Sequence, residues 1–207
     1  PVGKYLYADD LHKTVKSMHE KKMYKEMTMY IEACESGSIF QNILEDDIGV
    51  YAVSATDAST SSWGTYCSPD DKVNGKSIRS CLGDLFSVNW MEDTDAADIT
   101  KETLQDQYKS VKKATTKSPV LQWGELDFTS EPIGDFQSNT DAKDSDFWGQ
   151  LIHDGLNYLD DKLMLDEELA ERKNTFAVDS RDIALHYYYN LVMVDPTPEN
   201  HAALQAE

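Results

Sequence analysis

Residues 48–55, IGVYAVSA, form a near-continuous apolar run. A strand with one wet face alternates apolar and polar side chains, and this one does not. Both of its faces therefore need cover, which is the situation of a parallel sheet with helices above and below. The residues before it fit that demand. Residues 9–23 read as a helix, with Leu11, Val15 and Met18 at helical spacing and Asp9 or Asp10 placed to cap it. Residues 27–33, MTMYIEA, read as a short strand closed by a polar ESGS turn. Helix, strand, connection and strand together predict an α/β layer fold.

The segment 56–81 is rich in Ser, Thr, Asp and Gly and reads as a long loop, a type that is usually functional when ordered. Helical spacing follows at 82–92 through Leu85, Val88 and Asn89, and at 100–115 through Leu104, Tyr108 and Val111. PVLQWG at 119–124 reads as a last short strand opened by Pro119. With 207 residues the chain fits one domain and a short appendage. The composition shifts at about residue 129, where a polar, acidic stretch to 146 reads as a linker. An amphipathic helix carrying Ile152, Leu156, Leu159 and Leu163 is expected next. A second stripe of Ile183, Tyr187, Leu191 and Val194 follows a polar stretch at 171–182. The expected divisions are 1–128, 129–181 and 182–207.

The formal charge of −19 argues against nucleic acid and against anionic membrane surfaces as partners. No apolar run approaches the roughly 20 residues of a membrane-spanning helix. No CxxC, HExxH or EF-hand loop is present, so no metal and no cofactor are expected. The acidic run Glu45-Asp46-Asp47 reads as solvated loop.

There are three cysteines. Cys67 and Cys81 flank the polar loop SPDDKVNGKSIRS. A disulfide there would imply an oxidising compartment, and two reduced thiols would imply the cytosol. Cys34 is left over, in Glu32-Ala33-Cys34-Glu35-Ser36-Gly37-Ser38. It falls where a parallel strand should end, and catalytic groups gather at such ends. The small residues around it permit close approach of a substrate backbone, Gly37 permits a sharp turn, and the turn's N–H groups could face a developing oxyanion. A small buried hydrophobe at a strand end explains the same residue equally.

A thiol nucleophile needs a base, normally histidine. His12, His19, His153, His186 and His201 are the candidates, and none is an obvious partner for Cys34. Alternation places Glu32 on the same side of its strand as Cys34. Asp84 opens the helix that follows the loop, where a carboxylate suits the macrodipole. Read alone, Asp84 is a helix cap and Glu32 a solvated edge.

Several stretches together resemble the legumain family, the asparaginyl endopeptidases or vacuolar processing enzymes. They are YLYADDL (5–11), MYKEMTMYIEACESGSIF (23–40), SSWGTYC (61–67), CLGDLFSVNWMED (81–93) and TKETLQDQYKSVKKAT (100–115). The resemblance implies a caspase-like, mostly parallel sheet with helices on both faces, followed by the start of a helical pro-domain. It implies a cysteine endopeptidase that cleaves after Asn, and after Asp at acidic pH, through a thioester on Cys34. It implies that Glu32 and Asp84 belong to the pocket reading the Asn side chain, and that Ser61, Ser62 and Trp63 line the cleft. The Cys67–Cys81 pair matches the plant-type pattern. Asn174 is the preferred autocleavage candidate, with Asp179 the other.

The resemblance further implies a lysosomal or vacuolar enzyme. Its expected partners are Asn-containing protein substrates, its own pro-domain and cystatin-type inhibitors. The family's His-Gly turn and pocket arginine lie upstream of the segment that Pro1 begins. The expectation is therefore an N-terminally truncated record of such an enzyme, inactive by itself. A catalytically dead binding or inhibitory homologue is the alternative. The related transamidase branch fits EACESGS and VNWMED less well.

Overall fold

A computed structural model describes residues 5–137 and 170–207. In the described residues the chain is a mixed α/β structure. Helix α1 (Ala8–Glu20) leads into β1 (Met27–Ile31), which pairs in parallel with β2 (Val50–Ser54). All five residues of β2 are buried. Its side chains part to opposite faces with period two. Val50 enters a cluster with Val15 of α1 and Ile48, flanked by Leu11, Met27 and Met29. Tyr51, Val53 and the following Ala55 enter a larger cluster with Phe86, Leu104, Val111, Val120, Phe128 and Ile133. The continuous apolar run in the sequence is thus a strand covered on both sides.

The second cover comes from α2 (Leu85–Ala96) and α3 (Leu104–Ala114). Leu104 and Val111 are buried, and Tyr108 packs partly against the same cluster. Thr103 caps α3, its side chain accepting from the Asp106 N–H. The start of α1 differs from expectation. Tyr7 holds the N-cap position without a side-chain bond, and Asp9 and Asp10 lie in the first turn, where they favour the macrodipole without capping.

The strand expected at 119–124 is β7 (Leu121–Gly124). It pairs antiparallel with β2, giving a three-stranded sheet of order β1-β2-β7. One pair in this sheet is parallel and one antiparallel, so a mostly parallel sheet is not what the described residues display. Packed structure also runs past the compositional shift at residue 129. Thr129 and Ile133 are buried, and a short helix, α4 (Gly134–Gln137), follows.

The expected long loop 56–81 carries structure of its own. It contains β3 (Trp63–Thr65) and a hairpin of β4 (Lys72–Val73) and β5 (Lys76–Ser77). Cys67 and Cys81 are disulfide-bonded. A second sheet has the order β6-β3-β8, with β6 at Gly83–Asp84 and β8 at Val178–Asp179. Local propensity does not announce these two- and three-residue strands, because each exists only through pairing with a distant segment.

The apolar stripe at 182–194 is helix α5 (Ile183–Val194), followed by α6 (Pro198–Ala206). None of α5 is buried, and Met193 and Val194 are about two-thirds exposed. The helix expected around Ile152, Leu156, Leu159 and Leu163 lies outside the described residues, as does His153.

Candidate active site

The chain turns sharply after β1. Glu35 adopts a left-handed conformation, and residues Ser36–Ile39 form one 3-10 turn. The turn is bound to the segment after β2. The Glu35 N–H donates to the Thr60 carbonyl, the Gly37 N–H to the Asp57 carbonyl, and the Ser36 hydroxyl accepts from the Thr56 N–H. A Cβ on Gly37 would lie 2.7 Å from the Asp57 carbonyl carbon, so only glycine fits there. The N–H groups of residues 35–38 are all spent within the protein, the Ser36 N–H on Ala33 and the Ser38 N–H on Glu35. They hold the turn in shape, and do not face an oxyanion as the sequence reading allowed.

Cys34 sits at the mouth of this turn, partly buried and with a free thiol. Its Sγ lies 3.7 Å from the Ser62 Oγ, just before β3. Ser62 is buried. Beneath them lies Glu32. Strand β1 ends at Ile31, so alternation does not orient Glu32 as the sequence reading supposed. Its Oε2 instead accepts from the Ser87 N–H at 2.8 Å. Ser87 is the third residue of α2, whose first N–H groups have no partner within the helix. Glu32 thus does for α2 what was expected of Asp84. Asp84 holds the N-cap position with extended backbone and no capping bond.

Burial dominates the electrostatics of this pair. It pushes the Glu32 carboxyl up to about 7, and the nearby charge of Asp84 adds to that, against the bond from Ser87. Burial also raises Asp84, against a bond from Ser180. The Glu32 Oε1 is buried without a hydrogen-bond partner.

The structure therefore gathers Glu32, Cys34, Ser61, Ser62, Trp63 and Asp84 around one end of β3. It does not bring a described histidine to Cys34. His12 lies 4.0 Å from Glu45, the His19 ring is tilted against Tyr24 at 6.0 Å, His186 pairs with Asn190 and His201 lies on α6.

Residues 178–181 cover the site, a feature that sequence reasoning missed. Strand β8 pairs antiparallel with β3, Val178 opposite Gly64 and Asp179 opposite Trp63. The Ser180 N–H donates to the Ser62 carbonyl at 3.0 Å, and the Ser62 hydroxyl donates to the Ser180 Oγ at 3.1 Å. Arg181 reaches Ser61 at 3.0 Å and Glu35 at 2.5 Å. Its guanidinium is raised further by that bond and by the charges of Glu35 and Cys34. The Asp-Ser-Arg sequence was visible, but its pairing spans more than 110 residues and leaves no local signal.

Upstream, a helical segment through residues 170–175 is anchored on α2 and α3. Lys173 binds Asn89 and Glu92, and its carbonyl accepts from Thr65. Asn174 is fully engaged. Its Oδ1 accepts from the Thr116 N–H and hydroxyl, and its Nδ2 donates to the carbonyls of Ala114 and Ala170.

The peptidase C13 family matches residues 1–139. The chain belongs to the peptidase C13 family. This C13 chain is 36% identical over 193 residues to a vacuolar-processing enzyme of Vicia sativa, covering 91% of the chain and 36% of that relative. It is 43% identical over 136 residues to a vacuolar-processing enzyme of Glycine max, covering 62% of the chain and 28% of the relative. A legumain of Canavalia ensiformis is 41% identical over 140 residues, with 64% and 30% covered. The C13 chain spans about a third of the length of the curated relatives it matches.

Proposed function

We propose that this chain is part of a cysteine endopeptidase that cleaves peptide bonds after Asn, and after Asp at acidic pH. The observation that carries the reading is the placement of the lone free thiol, Cys34, beside Ser62 and above the acidic pair Glu32 and Asp84. The edge of β3 beside them is one on which an extended peptide can pair. The caspase-like fold belongs to the same reading, supported by family membership and by a parallel β1–β2 pair with helices on both faces.

In this mechanism the general base takes the Cys34 thiol proton, and the thiolate attacks the main-chain carbonyl carbon of the Asn itself. The amine leaves with a proton from the general base, and a thioester forms on Sγ. Water then hydrolyses the thioester, returning the thiol and releasing the acid. The base this mechanism needs is a histidine, and among the described residues no histidine lies beside Cys34. An Asn side chain offers two N–H donors and one carbonyl acceptor. The Asp84 carboxylate can accept from the amide. Glu32, neutral below about 7, can both accept and donate. A charged Asp meets repulsion from the same groups, and protonation removes it. Ser61, Ser62 and Trp63 line the cleft.

Residues 178–181, which begin with β8, lie where a substrate would pair, which supports a zymogen covered by its own chain. Asn174 is the proposed autocleavage site, reachable once the bonds to Thr116 and Ala114 release. The relatives are named for vacuolar processing, and we place this protein in the vacuole or lysosome. Cystatin-type inhibitors are proposed as partners on the uncovered cleft.

The test uses the intact protein and matched peptides with Asn, Asp, Gln or Ala at the cleaved position. Cleavage after Asn, abolished by Cys34→Ala, is expected. A second reading is a non-catalytic homologue, favoured by the lack of a histidine beside Cys34 among the described residues. It predicts no cleavage of any peptide.

A further inference from the structure

Lys117 stands on the short connection between α3 and β7, and its exposed side chain carries the ammonium over the Trp63 ring, 5.4 Å from the ring centroid. Trp63 belongs to β3, the strand with which the cover pairs. The contact joins a cation to the candidate site. It does not depend on the covering segment, because both residues lie outside it.

The backbone on either side of Lys117 is fixed. Thr115 is buried, and its hydroxyl accepts from the Asn89 side chain at 3.0 Å. Ser118 is buried, and its hydroxyl donates to the Ala55 carbonyl at 2.7 Å. The ammonium is not taken up by an acid, since each ion pair among the described residues uses another cation. An aromatic ring attracts a cation without neutralising it, and a lysine ammonium has three N–H donors. The charge over Trp63 therefore stays available to a carboxylate.

The ladder on β3 decides which residue of a bound chain meets it. The Ser180 N–H donates to the Ser62 carbonyl, and the Ser180 side chain bonds Ser62 and Asp84. Position 180 thus points toward the acidic pair to which the proteolytic reading assigns the Asn side chain. Asp179, one residue earlier, lies opposite Trp63. Because Ser62 and Ser180 are a hydrogen-bonded pair, Trp63 and Asp179 are a non-hydrogen-bonded pair, with side chains on the same face and at their closest. A substrate in this register puts the residue before its Asn on the face where Trp63 carries Lys117. The cover already has an acid there, with its Oδ1 turned onto the Arg181 N–H at 2.9 Å. A glutamate is one methylene longer and reaches further from its own backbone.

We propose that Lys117 is a specificity-determining residue, favouring an acidic side chain, Glu above all, immediately before the cleaved Asn. The inference rests on the proteolytic reading above and names the substrate class that reading leaves open. A single exposed charge pair is weak, so the preference is a few-fold, and salt screens it.

The test measures kcat/KM of the intact, activated protein on three peptides that differ only in the residue before the Asn, which is Glu, Gln or Lys. The pH is about 6, where a peptide glutamate is ionised. At low ionic strength Glu should exceed Gln about two- to fivefold and Lys about five- to twentyfold, and the spread should shrink toward one in about 1 M salt. Lys117→Gln should bring the three rates together, and Lys117→Glu should place the Lys peptide first. The ratios are taken within each variant, so a general loss of activity cancels, and a urea-unfolding midpoint equal to the parent's shows that the variant is folded. Equal rates on the three peptides in the parent overturn the proposal. A Glu preference that Lys117→Gln leaves intact, or that salt does not reduce, overturns it in the same way. If no peptide is cleaved at all, the proteolytic reading fails and this inference fails with it.

Discussion

Replacing Glu32 with Gln changes one charge and almost no volume, and so isolates the cost of burying that carboxylate. Glu32 ionises at about 7 in the folded protein, against an ordinary value of 4.5. Below 4.5 both folded and unfolded chains carry the proton and no penalty arises. Between 4.5 and 7 the unfolded chain ionises while the folded protein holds its proton, so stability falls as pH rises. Above 7 the full penalty is present, about 3 kcal/mol from the size of the shift. Between pH 5 and pH 8 the change is about 2–3 kcal/mol. Gln retains the oxygen that accepts from Ser87 and resembles the neutral acid in charge and shape. Glu32→Gln should therefore be stabilising by less than about 1 kcal/mol at pH 5 and by about 3 kcal/mol at pH 8. The assay is urea unfolding of the intact protein at both pH values, in a Cys34→Ala background and with the disulfide intact. Comparing variant with parent cancels the titration of Glu102, which burial also raises and which does not act on Glu32. An equal effect at both pH values would refute the claim that Glu32 is neutral in the folded site under acid conditions.

Two further outcomes follow from the geometry around Cys34. Gly37→Ala places a Cβ within 2.7 Å of Asp57 backbone, which belongs to a loop tied down at both ends. It should cost about 1–3 kcal/mol by thermal unfolding and displace Cys34, so cleavage after Asn should fall far more than stability. Arg181→Ala removes the bonds to Glu35 and Ser61 that hold the covering strand. Arg181 and Glu35 are both about half exposed, so solvent screens their pair and its contribution is modest. Alkylation of Cys34 by iodoacetamide should accordingly speed up about two- to fivefold, and an unchanged rate would show that this pair does not hold the cover.

Elements with strong local patterns were legible from the residues alone. The doubly apolar run at 48–55 became a strand buried on both faces, and the stripes through Leu104 and Val111 and through Ile183 and Leu191 became helices. Cys34 could be placed at a strand end for the same reason. The direction of β7 was not legible, because an apolar tetrapeptide pairs either way until the rest of the sheet is in place. The roles of Glu32 and Asp84 at the start of α2 were exchanged, because β1 ends one residue before Glu32 and turns its carboxylate onto the Ser87 N–H.

Periodicity, turn residues and the EACESGS and GDLFSVNWMED stretches are properties of neighbouring residues, and they were enough to determine the layered α/β character and the family resemblance. Only tertiary structure could decide that residues 178–181 lie along β3, that Arg181 meets Glu35, or that Asn174 binds Thr116 and Ala114. Each of these depends on contacts, or their lack, between segments far apart in sequence. A short strand with little burial has no periodicity to betray it, and its partner is fixed only when the core has brought both edges together.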